Sequence, residues 1–141
     1  MTEIRFHGRF GQPVGKLARA VGQYALKQGK HVQVFDAFAA FRPGAPMYSV
    51  VRVGDRFIRE RSANNTKPNI VVVLDNSLFS AAEVTKGLKA DGVVMALGVD
   101  KSVLGEKGQE YTFLKLDPFF KETGSDVETN VIKAFKNQGL F

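Results

Sequence analysis

The chain has 141 residues and a mass of 15.5 kDa, the size of one ordinary domain with a core of its own. Its 44% hydrophobic and 24% charged residues are typical of a globular protein, and no apolar run approaches the roughly 20 residues of a membrane-spanning helix. Cysteine is absent, which excludes disulfides, a thiol nucleophile and an iron–sulfur cluster held by this chain's own thiolates, and with only two histidines we expect no zinc site.

The formal charge of +6 is unevenly distributed along the chain. Residues 1–61 hold 11 Lys and Arg against 4 Asp and Glu, whereas residues 62–141 hold 9 against 10. A basic first half fits an anionic partner, such as a phosphorylated cofactor, an acidic protein surface or nucleic acid, and it also fits a solvated basic face. The stretch "MTEIRFHGRF" lacks the apolar segment of a signal peptide, so we expect a cytoplasmic protein.

The first third of the chain predicts the opening of a βαβ unit. "EIRFH" (3–7) alternates as a strand does, and apolar residues at helical spacing predict a helix from Pro13 to Gln28 that Gly29 closes. "HVQVFDAF" (31–38) predicts the second strand. A strand, a glycine turn, a helix and a strand in this order indicate an α/β fold.

The α/β pattern is interrupted after "RPGAP" (42–46). "MYSVVRV" and "RFIRER" stand on either side of Gly54-Asp55 and predict an antiparallel hairpin inserted at this point.

The pattern then resumes, with strands and helices that alternate: "IVVVLD" (70–75), a helix over 77–90, strands over 92–98 and 111–117, and a final helix from Val127 to Asn137. No internal repeat or domain boundary is visible. The sequence therefore predicts one domain over residues 1–141. Its fold is a doubly wound, Rossmann-like α/β fold with a mostly parallel sheet and an inserted β-hairpin.

The stretch "GRFGQP" (8–13) is the first candidate for a binding site. A glycine turn after a strand lets the backbone approach a ligand, and the N–H groups at the start of the next helix favour an anion. The stretch matches neither the dinucleotide pattern nor a P-loop, so a plain strand-to-helix turn stays open as the alternative.

Three further residues each allow two interpretations. Arg42, beside a glycine turn, either grips an anion or caps a loop carbonyl. Asp75 either binds a ligand at the end of a buried strand or caps the helix that begins near Ser77. His7 is either a base at a sheet edge or a structural residue. Because the Gly-x-Ser-x-Gly elbow and other familiar catalytic sets are missing, we expect no complete active site on this chain.

Taken together, these motifs resemble the gamma subunit, or gamma domain, of the 2-oxoacid:ferredoxin oxidoreductases, the family of pyruvate synthase. The similarity extends from Glu3 to Asp117 and keeps the order of the family's motifs. The segments that carry it are "EIRFHGRFGQ" before an amphipathic helix, "RPGA" (42–45), "DRFIRERS" (55–62), Pro68-Asn69 before "IVVVLD", and "VTKGLKADGVV" (84–94). Phe10 and Pro13 stand where the family has glycines.

The resemblance implies a supporting subunit without a catalytic residue or a metal of its own. In this family, partner subunits hold thiamine diphosphate and [4Fe-4S] clusters, decarboxylate a 2-oxoacid, pass electrons to ferredoxin and transfer the acyl group to coenzyme A. The gamma part packs over the active site and is associated with binding coenzyme A, whose phosphates suit a basic first half. Carried over residue by residue, the implied ligand loop is Gly8, Arg9, Gly11, Gln12, Arg42 and Gly44.

Two other classes of function stay open from the residues alone. One is a stand-alone module that binds a nucleotide or another phosphorylated ligand, and the other is a structural or regulatory interaction protein on the same fold. We expect no nucleic-acid partner, because the basic residues do not alternate with aromatic ones and no reader motif is present.

Overall fold

The computed structural model describes residues 1–9, 12–38, 45–59, 66–81, 84–99, 102–105, 111–116 and 127–137. In these ranges the chain forms six strands and three helices. In chain order they are β1 (Thr2–Arg9), α1 (Val14–Lys27), β2 (His31–Phe38), β3 (Pro46–Gly54), β4 (Ile70–Val73), α2 (Leu78–Ala81), β5 (Val93–Ala96), β6 (Thr112–Lys115) and α3 (Val127–Asn137).

Helix α1 forms where the apolar stripe predicts it. Tyr24 of the stripe is half-buried and its other members are fully buried, whereas Lys16 and Arg19 on the other side are exposed. The fully buried members are Val14, Leu17, Ala18, Val21 and Ala25. Gly29 ends the helix with a φ of +82°, and its N–H donates to the carbonyl of Leu26 at 3.0 Å. With 14 residues α1 is the longest described helix, and none of the described helices is long and apolar enough to span a membrane.

The six described strands form one sheet in the order β2-β3-β1-β4-β5-β6. β1, β4, β5 and β6 are parallel neighbours, and β3 runs antiparallel to both β1 and β2. β3 is thus the one strand of the described sheet that points against the rest. The carboxyl ends of β1 and β4 consequently meet at the same edge, where His7 pairs with Val73.

Both faces of the sheet are covered by apolar layers. On one face, Ile4, Phe6 and Val72 pack against α1 and α3. On the other face, Val71 and Val73 pack against Leu78, Val84 and Leu88, which come from α2 and the turns after it. The central strand β4 is buried along its whole length. These features confirm the predicted doubly wound α/β fold with a mostly parallel sheet.

The antiparallel partner of the inserted strand β3 is not the segment that the sequence predicted. "MYSVVRV" lies in β3 as expected, but β3 pairs with β2, from His31 opposite Gly54 to Phe38 opposite Met47. Residues 55–59 are not a strand, and residues 60–61 lie outside the described ranges. β2 presents an eight-residue edge to β3, which explains why the longer antiparallel pairing replaces the short local one.

The helix predicted over residues 77–90 is shorter than its apolar pattern indicates. α2 covers four residues, residues 84–87 form turns, and residues 82–83 are outside the described ranges. Gly87 has a φ of +79°, and a Cβ there would lie 2.5 Å from the carbonyl oxygen of Thr66. Leu78 and Leu88 of the predicted apolar positions are buried, so for these two residues the pattern identified the core although most of the predicted helix is absent from the described backbone.

Candidate functional site

The turn after β1 and the turn after β4 meet at the carboxyl edge of the sheet. The N–H of Leu74 donates to the carbonyl of His7 at 3.0 Å, which carries the parallel pairing one residue past β4. Arg9 and Gln12 from the first turn are therefore placed beside Asp75 from the second. In open α/β sheets this edge is where ligands bind.

Gly8 lets helix α1 approach the end of β1. A Cβ at this position would lie 2.2 Å from Cγ2 of Val14, which is closer than any side chain tolerates. The space that a side chain would fill is thus taken by the helix. Gly8 therefore allows a tight strand-to-helix turn. This is the structural one of the two interpretations of "GRFGQP".

Gln12 stabilises the turn after β1 by hydrogen bonds to Arg9. Its Oε1 accepts the N–H of Arg9 at 2.8 Å, and its own N–H donates to the carbonyl of Arg9 at 2.9 Å. Its Nε2 donates to Oδ2 of Asp75 at 3.0 Å. One side chain therefore connects the two turns and fixes where the first of them lies.

Arg9 reaches the same carboxylate from the other side. Its Nε lies 3.5 Å from Oδ2 of Asp75, and its Nη2 donates to Oγ of Ser77 at 2.8 Å. The side chains of Arg9 and Asp75 are 27% and 22% exposed, so both are accessible from solvent. The positive and negative charges of the pair compensate each other at neutral pH.

Asp75 accepts hydrogen bonds from two residues, Gln12 and Ser77, and forms an ion pair with Arg9. The hydroxyl and the N–H of Ser77 donate to Oδ1 at 2.6 and 3.0 Å. The bond from the Ser77 hydroxyl is the largest of the effects that lower the pKa of the Asp75 carboxyl, followed among the lowering effects by the Ser77 N–H, Gln12 and Arg9. The capping interpretation of Asp75 is confirmed by its bonds to Ser77 before α2, and its binding of a ligand stays a prediction.

Three of the sequence-predicted site residues, Gly11, Arg42 and Gly44, lie outside the described ranges. Pro46, which begins β3 two positions after Gly44, is the register partner of Arg9.

His7 is a buried, neutral side chain. Its Nε2 accepts the Nε–H of Arg5 at 2.7 Å, so the proton of the ring stays on Nδ1. Burial, together with the nearby charge of Arg5, lowers the pKa of His7 to about 3. Of its two interpretations, the geometry supports the structural one.

Sequence reasoning missed the buried arginines of the sheet. Arg5 donates to Oγ1 of Thr66 at 3.0 Å and to the carbonyls of Val84 and Lys86 at 2.8 and 2.7 Å, which ties two loops to β1. Arg52 is 2% exposed and pairs with Glu3 at 2.9 Å. An arginine within an alternating strand looks like a solvent-facing residue, so the local pattern carries no signal of this burial.

No group of three or more His, Asp or Glu side chains in the described part of the chain is placed to hold a metal ion. The site is instead a set of hydrogen-bond donors around one carboxylate at the carboxyl edge of a Rossmann-like sheet. The fold is thus that of the open α/β proteins, whose ligand sites lie at that edge of the sheet.

The chain belongs to the pyruvate ferredoxin/flavodoxin oxidoreductase family, whose pattern it matches over residues 3–134. The resemblance to this family seen in the motifs is thereby confirmed. The pyruvate synthase subunit PorC of Thermotoga maritima is 44% identical over 93 residues, which are 66% of this chain and 47% of that protein. The common gamma subunit of the pyruvate/ketoisovalerate oxidoreductases of Pyrococcus abyssi is 40% identical over 116 residues, covering 82% of this chain and 58% of that one.

Two solved structures are similar to this fold. The crystal structure of the pyruvate oxidoreductase subunit PORC from Thermotoga maritima has a TM-score of 0.58 and 37% identity, and covers 70% of this chain and 51% of that one. The gamma subunit of a keto/oxoacid ferredoxin oxidoreductase from Geobacter sulfurreducens has a TM-score of 0.63 at 17% identity, over 94% of this chain and 72% of that one, which concerns the fold alone. The chain spans about half the length of the curated relatives it matches.

Proposed function

We propose that this chain is the supporting, gamma-type part of a 2-oxoacid oxidoreductase that uses ferredoxin or a related acceptor. The enzyme would oxidatively decarboxylate a 2-oxoacid to an acyl-CoA. The observation that carries this proposal is the family match over residues 3–134, which includes every element of the described sheet. The relatives' names, pyruvate synthase subunit and pyruvate/ketoisovalerate common subunit, give the substrate class.

The proposed division of labour leaves the chemistry to partner subunits. Thiamine diphosphate stabilises the carbanion that decarboxylation leaves, and iron–sulfur clusters carry the electrons away. A chain without cysteine supplies no thiolate for such a cluster, so both groups are assigned to partner subunits. This chain then contributes binding and positioning at the carboxyl edge of its sheet.

The candidate ligand is coenzyme A, and the loop that would hold it is Gly8, Arg9, Gly11, Gln12, Arg42 and Gly44. The described donors fit an anionic group, because they already hold one: Arg9 and Gln12 both reach the carboxylate of Asp75. A phosphate of coenzyme A carries the same type of charge and accepts the same bonds. Binding would require Arg9 to exchange Asp75 for the phosphate.

The composition of the native complex tests the proposal. The tagged chain is purified from its native cell without oxygen, and the proteins that accompany it are identified by mass spectrometry. We expect a thiamine-diphosphate subunit and a cysteine-rich iron–sulfur subunit in stoichiometric amounts. Recovery of the chain alone would contradict the proposal. The cytoplasmic location stays a prediction, which fractionation of the same cells tests.

One observation favours a second function, that of an interaction protein which contacts no cofactor. The charge of Arg9 is compensated by Asp75, so the described part of the loop has no net positive charge to attract a phosphate. Calorimetric titration of the purified complex with coenzyme A distinguishes the two functions. Binding that Arg9→Ala weakens favours the ligand loop, whereas equal binding by the wild type and the variant favours the interaction protein.

A further inference from the structure

Two adjoining hollows lie at the end of the sheet opposite the candidate ligand loop. The larger, of about 660 Å³, is lined by the end of α1, the start of β2 and the turn after β3. The smaller, of about 380 Å³, lies between Met1 and the same turn. Phe57 and Ile58 line both hollows, so the two form one continuous surface, here called the Phe57 surface.

The Phe57 surface gathers the exposed apolar side chains. The described part of the chain has four large hydrophobic residues that are exposed, and three of them line the two hollows: Phe57 at 68%, Met1 at 63% and Leu26 at 55%. Single exposed apolar residues are common, but a cluster around a concavity is typical of a surface that another molecule covers. The fourth, Val103, is 38% exposed and lines neither hollow.

The charges that line the Phe57 surface are mostly positive. Lys30 forms an ion pair with Asp55, so these two compensate each other. Arg56 and Arg59 also line the surface, and neither forms an ion pair with a carboxylate of the described residues. The rim therefore has an excess of two positive charges around an apolar centre, and arginine and aromatic residues are the types enriched at protein interfaces.

The surface also adjoins the outermost strand of the described sheet. His31, Val32 and Gln33 at the start of β2 line the larger hollow, and β2 has a described neighbour on one side only. An edge strand presents backbone N–H and C=O groups that a second protein chain is able to pair with.

We propose that the Phe57 surface is the docking site for a partner subunit of the oxidoreductase complex, which rests on the proposed function. The partner places apolar side chains between Leu26 and Phe57 and acidic side chains opposite Arg56 and Arg59. A second copy of this chain fits poorly, because a symmetric contact would bring the two basic rims together. Docking at this end leaves the candidate ligand loop at the carboxyl edge of the sheet uncovered.

Assembly of the complex with two variants of this surface tests the proposal. The full set of subunits is co-expressed with Phe57→Ser, or with Arg56→Glu and Arg59→Glu together. Val103→Ser and Lys89→Glu are the matched controls, an exposed apolar residue and an exposed lysine outside both hollows. Affinity is measured by titrating the purified chain into the remaining subunits, and circular dichroism verifies that each variant is folded.

We expect both surface variants to weaken assembly by about tenfold or more, the effect of losing a central interface residue, and the controls to stay within about twofold. Wild-type-like assembly by both surface variants would overturn the proposal and leave the proposed function intact. If Phe57→Ser weakens assembly and the double arginine variant does not, the proposal that the partner places acidic side chains opposite Arg56 and Arg59 is wrong. If the isolated chain forms a dimer and Phe57→Ser converts it to a monomer, the molecule that covers this surface is a second copy of the chain, and the proposed partner is wrong. If the wild-type chain binds none of the subunits, the proposed function fails together with this surface.

Discussion

The side-chain amide of Gln12 donates to the carboxylate of Asp75 at 3.0 Å, although 63 positions separate the two residues in the chain. The other end of the same amide accepts the N–H of Arg9. Gln12 thus determines both the shape of the first turn and its distance from the second. Together with Arg9, which contacts Asp75 and Ser77, this side chain joins the two turns at the carboxyl edge of the sheet.

Gln12→Ala should destabilise the protein by about 1–2 kcal/mol, because it removes two hydrogen bonds of a partly buried amide. Urea denaturation monitored by circular dichroism measures the free energy of unfolding. Gln23→Ala is the control, since Gln23 is an exposed residue of α1. An equal, small effect of both substitutions would show that Gln12 does not hold the turn.

Asp75→Asn should raise the affinity for coenzyme A by roughly threefold to fivefold. The substitution removes the carboxylate that competes for Arg9, and a partly exposed ion pair of this kind is usually worth less than about 1 kcal/mol. Calorimetric titration of the assembled complex measures the dissociation constant, with Asp75→Glu as the control that keeps the charge. Weaker binding by Asp75→Asn would place the carboxylate among the ligand's own contacts.

Gly8→Ala should cost about 1–3 kcal/mol of stability, because its Cβ would collide with Val14. The shortest of these contacts is with one methyl group, Cγ2 of Val14, and the next is with Oε1 of Gln12 at 3.1 Å. Gly8→Ala should therefore cost less in a Val14→Ala background than in the wild type, which a double-mutant cycle of unfolding free energies measures. Equal costs in both backgrounds would mean that the glycine is needed for another reason.

The folded protein should lose stability as the pH falls from about 6.5 toward 3. The pKa of His7 is lowered to about 3 by burial and by Arg5, whereas in the unfolded chain it returns to 6.5. In this window the unfolded state takes up a proton that the folded state does not, so His7 contributes a loss of about 1.4 kcal/mol per pH unit. Above pH 6.5 His7 is neutral in both the folded and the unfolded state, so its contribution to the free energy of unfolding is fully present.

Unfolding free energies between pH 7 and pH 4 test the contribution of His7. His7→Gln keeps a hydrogen-bond acceptor for Arg5 and should flatten the slope in this window. His31→Gln, the same substitution at an exposed histidine, is the control for the change of side chain. Identical slopes for the wild type and His7→Gln would contradict the lowered pKa.

Local patterns predicted the parts of the fold that depend on local contacts. Helix α1 is buried on one face, so its apolar residues recur at helical spacing. Strand β4 is buried on both faces, so its residues form a continuous apolar run. Both patterns are visible in the sequence. The glycines of "GRFGQP" predicted the turn at Gly8, because a tight strand-to-helix turn needs a residue without a side chain.

Contacts between distant residues account for what sequence reasoning missed. β3 pairs with β2 and β1 rather than with residues 55–59 after Gly54. The sequence pattern of a strand does not determine which other strand it pairs with. Likewise, Asp75 looks like a cap or a ligand residue in the sequence, and its contact with Gln12 depends on the parallel pairing of β1 and β4. The compensated charge of Arg9 is visible only after the sheet is assembled.

The activity of the complex with and without this chain tests whether the chain is a working part of a 2-oxoacid oxidoreductase. Reduction of a low-potential dye is measured in the absence of oxygen, with a 2-oxoacid and with or without coenzyme A. We expect dye reduction that requires both compounds. Without the chain, either the reduction is lost or its dependence on coenzyme A is weakened. Full activity with an unchanged dependence on coenzyme A in the absence of the chain would show that it is not the gamma-type part of this enzyme.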